Sequence, residues 1–315
     1  MELRGLGRSD LQVSLVGIGC NNFGGRIPHA DARAVLHAAL DAGVTLFDTS
    51  DNYGNRGGSE RFLGAELGAR RNDIVLASKF GMPMDDEGKM KGGTRRYIMA
   101  AIEASLERLR TDRIDLYQLH VPDPDTPIEE TLRALDDLVR QGKVRHVGCS
   151  NLSGAQTIDA ARVARAAGIS EFITCQNEYS LLNRDVEREL IPAMRQEGPS
   201  MLPFYPLASG LLSGKYQRDQ PLPSGSRMQR IPSFSDRFLN ERNWAMAEGL
   251  QAFATSKGRT LLELAFSWLA NQPVVGSVIA GASSAAQVRS NVAAVGWTMT
   301  AEELKQIDKI TLPGS

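Results

Sequence analysis

From about Leu15 to about Ala294 the chain alternates short apolar runs with longer amphipathic stretches, and the pair recurs eight times. The apolar runs are Leu15 to Cys20, Thr45 to Thr49, Ile74 to Lys79, Ile114 to His120, Val144 to Ser150, Phe172 to Gln176, Met201 to Tyr205 and Val274 to Ala280. Each reads as a strand with two apolar faces, as a parallel sheet covered by helices requires. The intervening helices are predicted at Asp31 to Ala42, Ser59 to Gly68, Arg95 to Arg110, Ile128 to Arg140, Gly154 to Ala167, Asp185 to Gln196, Asn243 to Lys257, Leu261 to Asn271 and Ala285 to Ala294. Ile98, Ile102, Leu106 and Leu109 show the helical stripe most clearly. Asp31 is the expected N-cap of the first helix, and Gly43 its stop.

Eight strand–helix units in 315 residues fit a closed (β/α)8 TIM barrel better than an open sheet. One barrel domain is therefore expected over residues 1–315. Leu3 to Val13 contains Leu6-Gly7-Arg8-Ser9-Asp10-Leu11, a turn between two short extended pieces, and reads as a β-hairpin capping the barrel floor. Gly81 to Thr94 and Gln217 to Asp236 break the rhythm and are expected as loops on the functional, C-terminal face.

A net charge of -1 with no basic stripe excludes nucleic acid as the expected partner. No apolar run is long enough to span a bilayer, and the N-terminus has no signal-like apolar region. Cys20, Cys149 and Cys175 lack metal or disulfide spacing and read as buried small hydrophobes. A cytoplasmic, reducing location is expected. His29, His37 and His146 have no partners at metal-ligand spacing, so structural roles are expected.

Four polar residues stand at or just beyond strand ends: Asp48, Tyr53, Lys79 and His120. A carboxylate, a phenol, an ammonium and an imidazole at the mouth of a barrel make a proton-transfer site. A free tyrosine, with a pKa of about 10, is a poor acid near neutrality. An adjacent ammonium is expected to lower that value, and Asp48 to compensate and orient Lys79. His120 is a neutral donor suited to orienting a carbonyl. The set has no nucleophile, metal shell or electron source, so a reduction needs an external hydride donor.

Asp48-Thr49-Ser50-Asp51-Asn52-Tyr53-Gly54, Ala77-Ser78-Lys79-Phe80 and Asp115-Leu116-Tyr117-Gln118-Leu119-His120 resemble the aldo-keto reductases, in the branch with the potassium-channel β-subunits and bacterial members. The likeness runs from about Leu3 to Leu312. It implies a (β/α)8 barrel that binds NADPH and reduces small-molecule aldehydes and ketones. Tyr53 is then the general acid, tuned by Lys79 and Asp48, with His120 positioning the carbonyl.

The resemblance also implies a cofactor set. Ser150, Asn151 and Gln176 correspond to the residues bonding the nicotinamide carboxamide. Phe204, Tyr205, Pro206, Leu207, Ser209, Gly210 and Lys215 lie in the segment that stacks on the ring and wraps the pyrophosphate. Arg227 aligns with a basic residue near the cofactor, and Gly281, Ser283, Gln287 and Asn291 with the adenosine-phosphate end. Ser283 and Ser284 stand where many NADPH-specific members carry a cation, leaving the 2′-phosphate to Ser283, Gln287 and Arg227 or Arg289. Phe204 and Tyr205 replace the usual aromatic–Ser pair, and Ala280 a common proline. NADPH is the expected cofactor, with NADH not excluded.

Gly17-Ile18-Gly19-Cys20-Asn21-Asn22-Phe23-Gly24 looks like a dinucleotide fingerprint, but its third glycine position is Asn22 and no helix follows at once. In the reductase reading Asn21 and Asn22 approach the cofactor, and Asp48 is expected to contact it as well. Two further readings stay open: a cofactor-holding, redox-sensing regulatory subunit with slow turnover, and a lyase or isomerase using Lys79 as a Schiff base. Met82, Met84, Tyr179 and the Arg- and Pro-rich insert after the seventh strand are expected near the substrate. No motif decides the oligomeric state.

Overall fold

The computed structural model describes residues 1–312. Strands β1 (Leu3–Gly5) and β2 (Gln12–Ser14) pair antiparallel as the expected hairpin. The eight barrel strands follow: β3 (Val16–Gly19), β4 (Leu46–Asp48), β5 (Val75–Phe80), β6 (Ile114–Leu119), β7 (Val144–Ser150), β8 (Thr174–Gln176), β9 (Ser200–Met201) and β10 (Val278–Gly281). All seven pairings along the sheet are parallel, in the order β10-β3-β4-β5-β6-β7-β8-β9. A parallel bridge between Met201 and Val275 joins the two ends and closes the barrel.

The surrounding helices are α1 (His29–Asp41), α2 (Tyr53–Glu66), α3 (Arg95–Leu109), α4 (Ile128–Arg140), α5 (Gly154–Ala167), α6 (Leu190–Glu197), α7 (Arg227–Arg230), α8 (Pro232–Phe238), α9 (Glu241–Ser256), α10 (Leu261–Ala270), α11 (Ala285–Ala293) and α12 (Ala301–Thr311). β5 and β6 are buried at every position, because helices cover one face and barrel side chains the other. Leu6, Leu11 and Val13 of the hairpin pack with Leu46, Val75, Ala77, Leu116, Leu202 and Ile279, which plugs the barrel floor with a small apolar core. A larger core lies between the strands and the helices.

Several expectations shift. Helix α1 starts at His29 with Pro28 in the cap position and no side-chain cap; Asp31 sits in the first turn, where a carboxylate favours the helix dipole. The stretch expected to be irregular after strand β9 contains α7 and α8. Ser226 caps α7 from its hydroxyl, and Pro232 opens α8. Helix α12, beyond the predicted repeat, is held by a capping box between Thr300 and Glu303.

Period-two alternation carries the barrel from apolar to polar along its axis. Leu46 gives way to Asp48, Val75 and Ala77 to Lys79, and Leu116 to Gln118, while β8 is polar at both Thr174 and Gln176. The polar layer thus sits directly on the plugged apolar one.

Candidate active site

Lys79 is fully buried. Its Nζ donates to Asp48 Oδ2 at 2.6 Å and to the Thr49 carbonyl at 3.0 Å, and lies 3.5 Å from Tyr53 Oη. Burial alone would lower the ammonium's pKa; the Asp48 carboxylate reverses this, and the net direction is upward. Asp48 is also held through Oδ1, which accepts from Gln176 Nε2 at 2.9 Å and Gln118 Nε2 at 3.2 Å. A protonated, enclosed Lys79 is a poor amine nucleophile, which counts against the Schiff-base reading.

Tyr53 opens helix α2 and is half-buried at the cleft. The four residues after it all have positive φ, and the regular helix runs from 58 to 66. At Gly54 a Cβ would lie 2.6 Å from both the Phe23 carbonyl and the Ser59 amide, so a side chain there collides with backbone. This left-handed turn is what aims the phenol at Lys79. The expected depression of the Tyr53 pKa is not found: burial raises it, Lys79 lowers it, and the net direction is upward. Tyr53 is therefore a firmly protonated phenol.

His120 follows β6, with its amide bonded to the Phe80 carbonyl at 2.8 Å. Its ring stands edge-on to Tyr53, with centroids 5.7 Å apart. Burial, reinforced by the Lys79 charge, brings its pKa down to about 3, so the imidazole is neutral.

A cleft of about 700 Å³ opens above this cluster. Asp48, Tyr53 and His120 line its floor, with Lys79 beneath. Apart from Arg289, which is not among the lining residues, the residues expected to contact a cofactor line the same cleft. Asn21 lies near β3, Ser150 and Asn151 at the end of β7, and Gln176 at the end of β8. Phe204, Tyr205, Pro206, Leu207, Ser209, Gly210 and Lys215 form one wall, and Arg227 another. Gly281, Ser283, Gln287 and Asn291 line the end beside α11. Asn151, Tyr205 and Ser209 on the cleft wall carry positive φ.

The polar groups interlock. Ser150 Oγ donates to the Gln176 carbonyl at 2.8 Å, and Asn151 Nδ2 to the His120 carbonyl at 2.9 Å. Ser283 N donates to Gln287 Oε1 at 2.8 Å. Arg227 reaches Asn22 Oδ1 at 3.3 Å and Asn21 Oδ1 at 3.5 Å. The buried Ser209 hydroxyl has no hydrogen-bond partner among the described residues.

Sequence reasoning missed Arg26 and Arg230, which also line the cleft. Among the described residues, neither they nor Arg227 nor Lys215 forms an ion pair with a carboxylate. Burial lowers the pKa of Arg227, as do its neighbours Arg26 and Arg230, while Tyr205 opposes this. Their signal was simply basic residues in the segments that follow β3 and β9, on the same face of the barrel. Of the residues expected near the substrate, Met82 lines the cleft, but Tyr179 does not. Tyr179 is fully buried against Trp268 and donates to Glu187 at 2.7 Å. Met84 packs against the main core. His146 bonds Asp10 at 2.7 Å and ties β7 to the hairpin. No cluster of metal-ligating side chains occurs among the described residues, and none of their helices is long and apolar enough to cross a membrane.

A (β/α)8 barrel with this polar cluster at the C-terminal ends of its strands defines a class of barrel oxidoreductases. The chain belongs to the aldo/keto reductase family, whose model matches residues 15–312. It is similar to L-glyceraldehyde 3-phosphate reductase of Escherichia coli (strain K12), at 34% identity over 98% of this chain and 92% of that one. It is similar at 36% identity to a probable voltage-gated potassium channel subunit beta of Arabidopsis thaliana, covering 94% of this chain and 91% of the other. An uncharacterized oxidoreductase of Bacillus subtilis (strain 168), YrpG, is 34% identical over 100% of this chain and 97% of its own.

Proposed function

We propose that the protein reduces aldehydes or ketones to alcohols with NADPH, with Tyr53 as the general acid. The observation that carries this reading is Lys79 Nζ, 2.6 Å from Asp48 and 3.5 Å from the Tyr53 hydroxyl, under the floor of the cleft. A phenol that stays protonated keeps its hydrogen until negative charge develops on the carbonyl oxygen. The adjacent ammonium then stabilises the phenolate left behind. Neutral His120 fits the role of a hydrogen-bond donor to the same oxygen. When bound, a reduced nicotinamide supplies the hydride that these side chains lack.

The residues present fit such a group. The cleft joins the polar cluster at one end to Ser283, Gln287 and Asn291 at the other. Lys215, Arg26, Arg227 and Arg230 offer cations without carboxylate partners among the described residues, the chemistry that phosphates require. This set favours NADPH over NADH, since a third phosphate uses more of the available charge. The chain is read as acting as a single barrel domain, and its three free, buried cysteines suit a reducing compartment.

Tyr53→Phe tests the reading. Oxidation of NADPH with a panel of carbonyl compounds should fall at least a hundredfold, while cofactor binding followed by fluorescence stays within threefold. A variant with the parent's rate would remove Tyr53 as the acid. The plant relative named as a channel subunit favours a second reading, a cofactor-holding regulatory protein. Turnover far slower than cofactor exchange across the whole panel would support it.

A further inference from the structure

A neutral imidazole carries one hydrogen, and which nitrogen holds it decides what His120 offers the cleft. With the hydrogen on Nε2 the ring donates to a carbonyl oxygen. With it on Nδ1, Nε2 is a bare acceptor that repels that oxygen. Nδ1 lies 3.1 Å from Ser50 Oγ.

Ser50 has a single hydroxyl hydrogen and is surrounded by acceptors. Its Oγ is 2.8 Å from Asn52 Oδ1, 3.2 Å from Asp51 Oδ1 and 3.5 Å from the Lys79 carbonyl. When Asp51 is a carboxylate it only accepts, and it draws the Ser50 hydrogen away from His120. The contact with Nδ1 is then made by Nδ1–H donating to Oγ. When Asp51 Oδ1 is protonated it donates to Ser50 instead. Ser50 can then turn its hydrogen to Nδ1, a stronger acceptor than the Asn52 amide oxygen that is its nearest neighbour at 2.8 Å, and the imidazole hydrogen moves to Nε2.

We propose that Asp51, acting through Ser50, sets the tautomer of His120, so that protonated Asp51 selects the form that donates to the substrate carbonyl. Ser50 and Asp51 are positioning residues here. The proposal deepens the reductase reading and, in its kinetic part, rests on it.

The surroundings of Asp51 place its titration where it matters. The side chain is buried, and Oδ2 accepts from Tyr97 Oη of α3 at 3.2 Å. From α2 it faces Glu60, which is fully buried and paired with Arg108 of α3 at 2.7 Å. From β6 it faces Tyr117, whose buried hydroxyl has no partner among the described residues. From β5, the Lys79 carbonyl accepts from the Asp51 amide at 3.0 Å, while the Lys79 ammonium is committed to Asp48. Burial first, and then the Glu60 charge, raise the Asp51 pKa to about 7; Ser50, Tyr97 and Arg108 act in the opposite sense.

The experiment has two independent arms. In the first, the holoprotein is labelled with ¹⁵N-histidine and its ring resonances are followed from pH 5.5 to 8.5 in parent, Asp51→Asn and Ser50→Ala. The parent should pass from Nε2–H to Nδ1–H with a midpoint near 7. Asp51→Asn, whose amide can donate to Ser50 at every pH, should stay Nε2–H. Ser50→Ala should lose the midpoint. A parent tautomer that does not change with pH, or a midpoint that survives in Asp51→Asn, overturns the proposal, and the parent measurement needs no variant to fold. In the second arm, kcat/KM for carbonyl reduction with NADPH should fall at least fivefold from pH 6 to pH 8 in the parent. In Asp51→Asn it should stay within threefold of the parent's low-pH value at both. The same fivefold fall in Asp51→Asn counts against the proposal. A parent that reduces no carbonyl defeats the reductase reading alone, because the spectroscopic arm still decides the tautomer.

Discussion

Gln176 Nε2 donates to Asp48 Oδ1 at 2.9 Å, so the carboxylate that anchors Lys79 is itself anchored from the far side of the barrel. Gln118 adds a second bond to the same oxygen, leaving Oδ2 for the ammonium. Asp48 is thus clamped by β5, β6 and β8 at once. The direction of Lys79 Nζ, and hence its approach to Tyr53, follows from this clamp and not from the lysine's own rotamers. Two buried charges cost desolvation, which the short ion pair and the two amide bonds offset.

Asp48→Asn should therefore damage stability and rate together. It leaves a buried ammonium without its counter-charge, and breaking such a pair costs about 3–5 kcal/mol. Denaturant unfolding should show a loss of that order, and kcat should drop at least tenfold as Lys79 loses its direction. Unchanged unfolding would mean that the ion pair is dispensable to the fold.

The arginines give a cofactor prediction. Arg230 is exposed and lines the cleft, and it has no carboxylate partner among the described residues. Arg230→Ala should raise KM for NADPH roughly three- to tenfold, or about 0.7–1.4 kcal/mol, and leave KM for NADH within twofold. The NADPH term should also weaken with added salt in the parent, as expected for partly exposed charges. Equal effects on both cofactors would move Arg230 away from the 2′-phosphate.

The barrel was legible because its strands are buried on both faces and its helices carry apolar stripes; periodicity reports both directly. The hairpin plug was legible from a short turn between extended pieces. Helices α7 and α8 were not, since a four-residue and a seven-residue helix are too short to show a period among prolines and serines. The four polar residues could be named from their places at strand ends. Their electrostatics could not: the upward direction at Tyr53 depends on desolvation, which only packing reveals. Tyr179 misled because an aromatic beside a strand end serves a core as readily as a cleft; here Trp268 claims it. Ser50 and Asp51 stood within a recognised run, but a three-residue hydrogen-bond path to His120 appears only once the loop is folded.

His120 predicts the acid limb of the stability curve. Its pKa is about 3 in the folded protein against an ordinary value of 6.5. Between those values the unfolded chain holds a proton that the native state does not. Stability therefore falls as pH drops from about 6.5 towards 3. His120→Gln should flatten this limb, so that its melting temperature relative to the parent improves from pH 7 to pH 4.5. A parallel pair of curves would show that the imidazole titrates normally.

Asp51 works in the opposite sense. Its folded pKa of about 7 lies above the ordinary 3.8, so between those values the native state holds a proton that the unfolded chain has lost. Stability conferred by that proton is complete below about 3.8 and declines as pH rises to about 7, where the loss levels off. The displacement corresponds to about 4 kcal/mol across the whole window, an order of magnitude set by the burial of the group. Asn keeps the shape of the side chain and cannot ionise. Asp51→Asn should thus gain on the parent as pH rises: a melting temperature at or below the parent's at pH 5, and above it at pH 8. The two proteins should cross once, between pH 5 and pH 8. If the difference between them is the same at both pH values, the Asp51 carboxyl is ionised throughout and burial does not hold its proton.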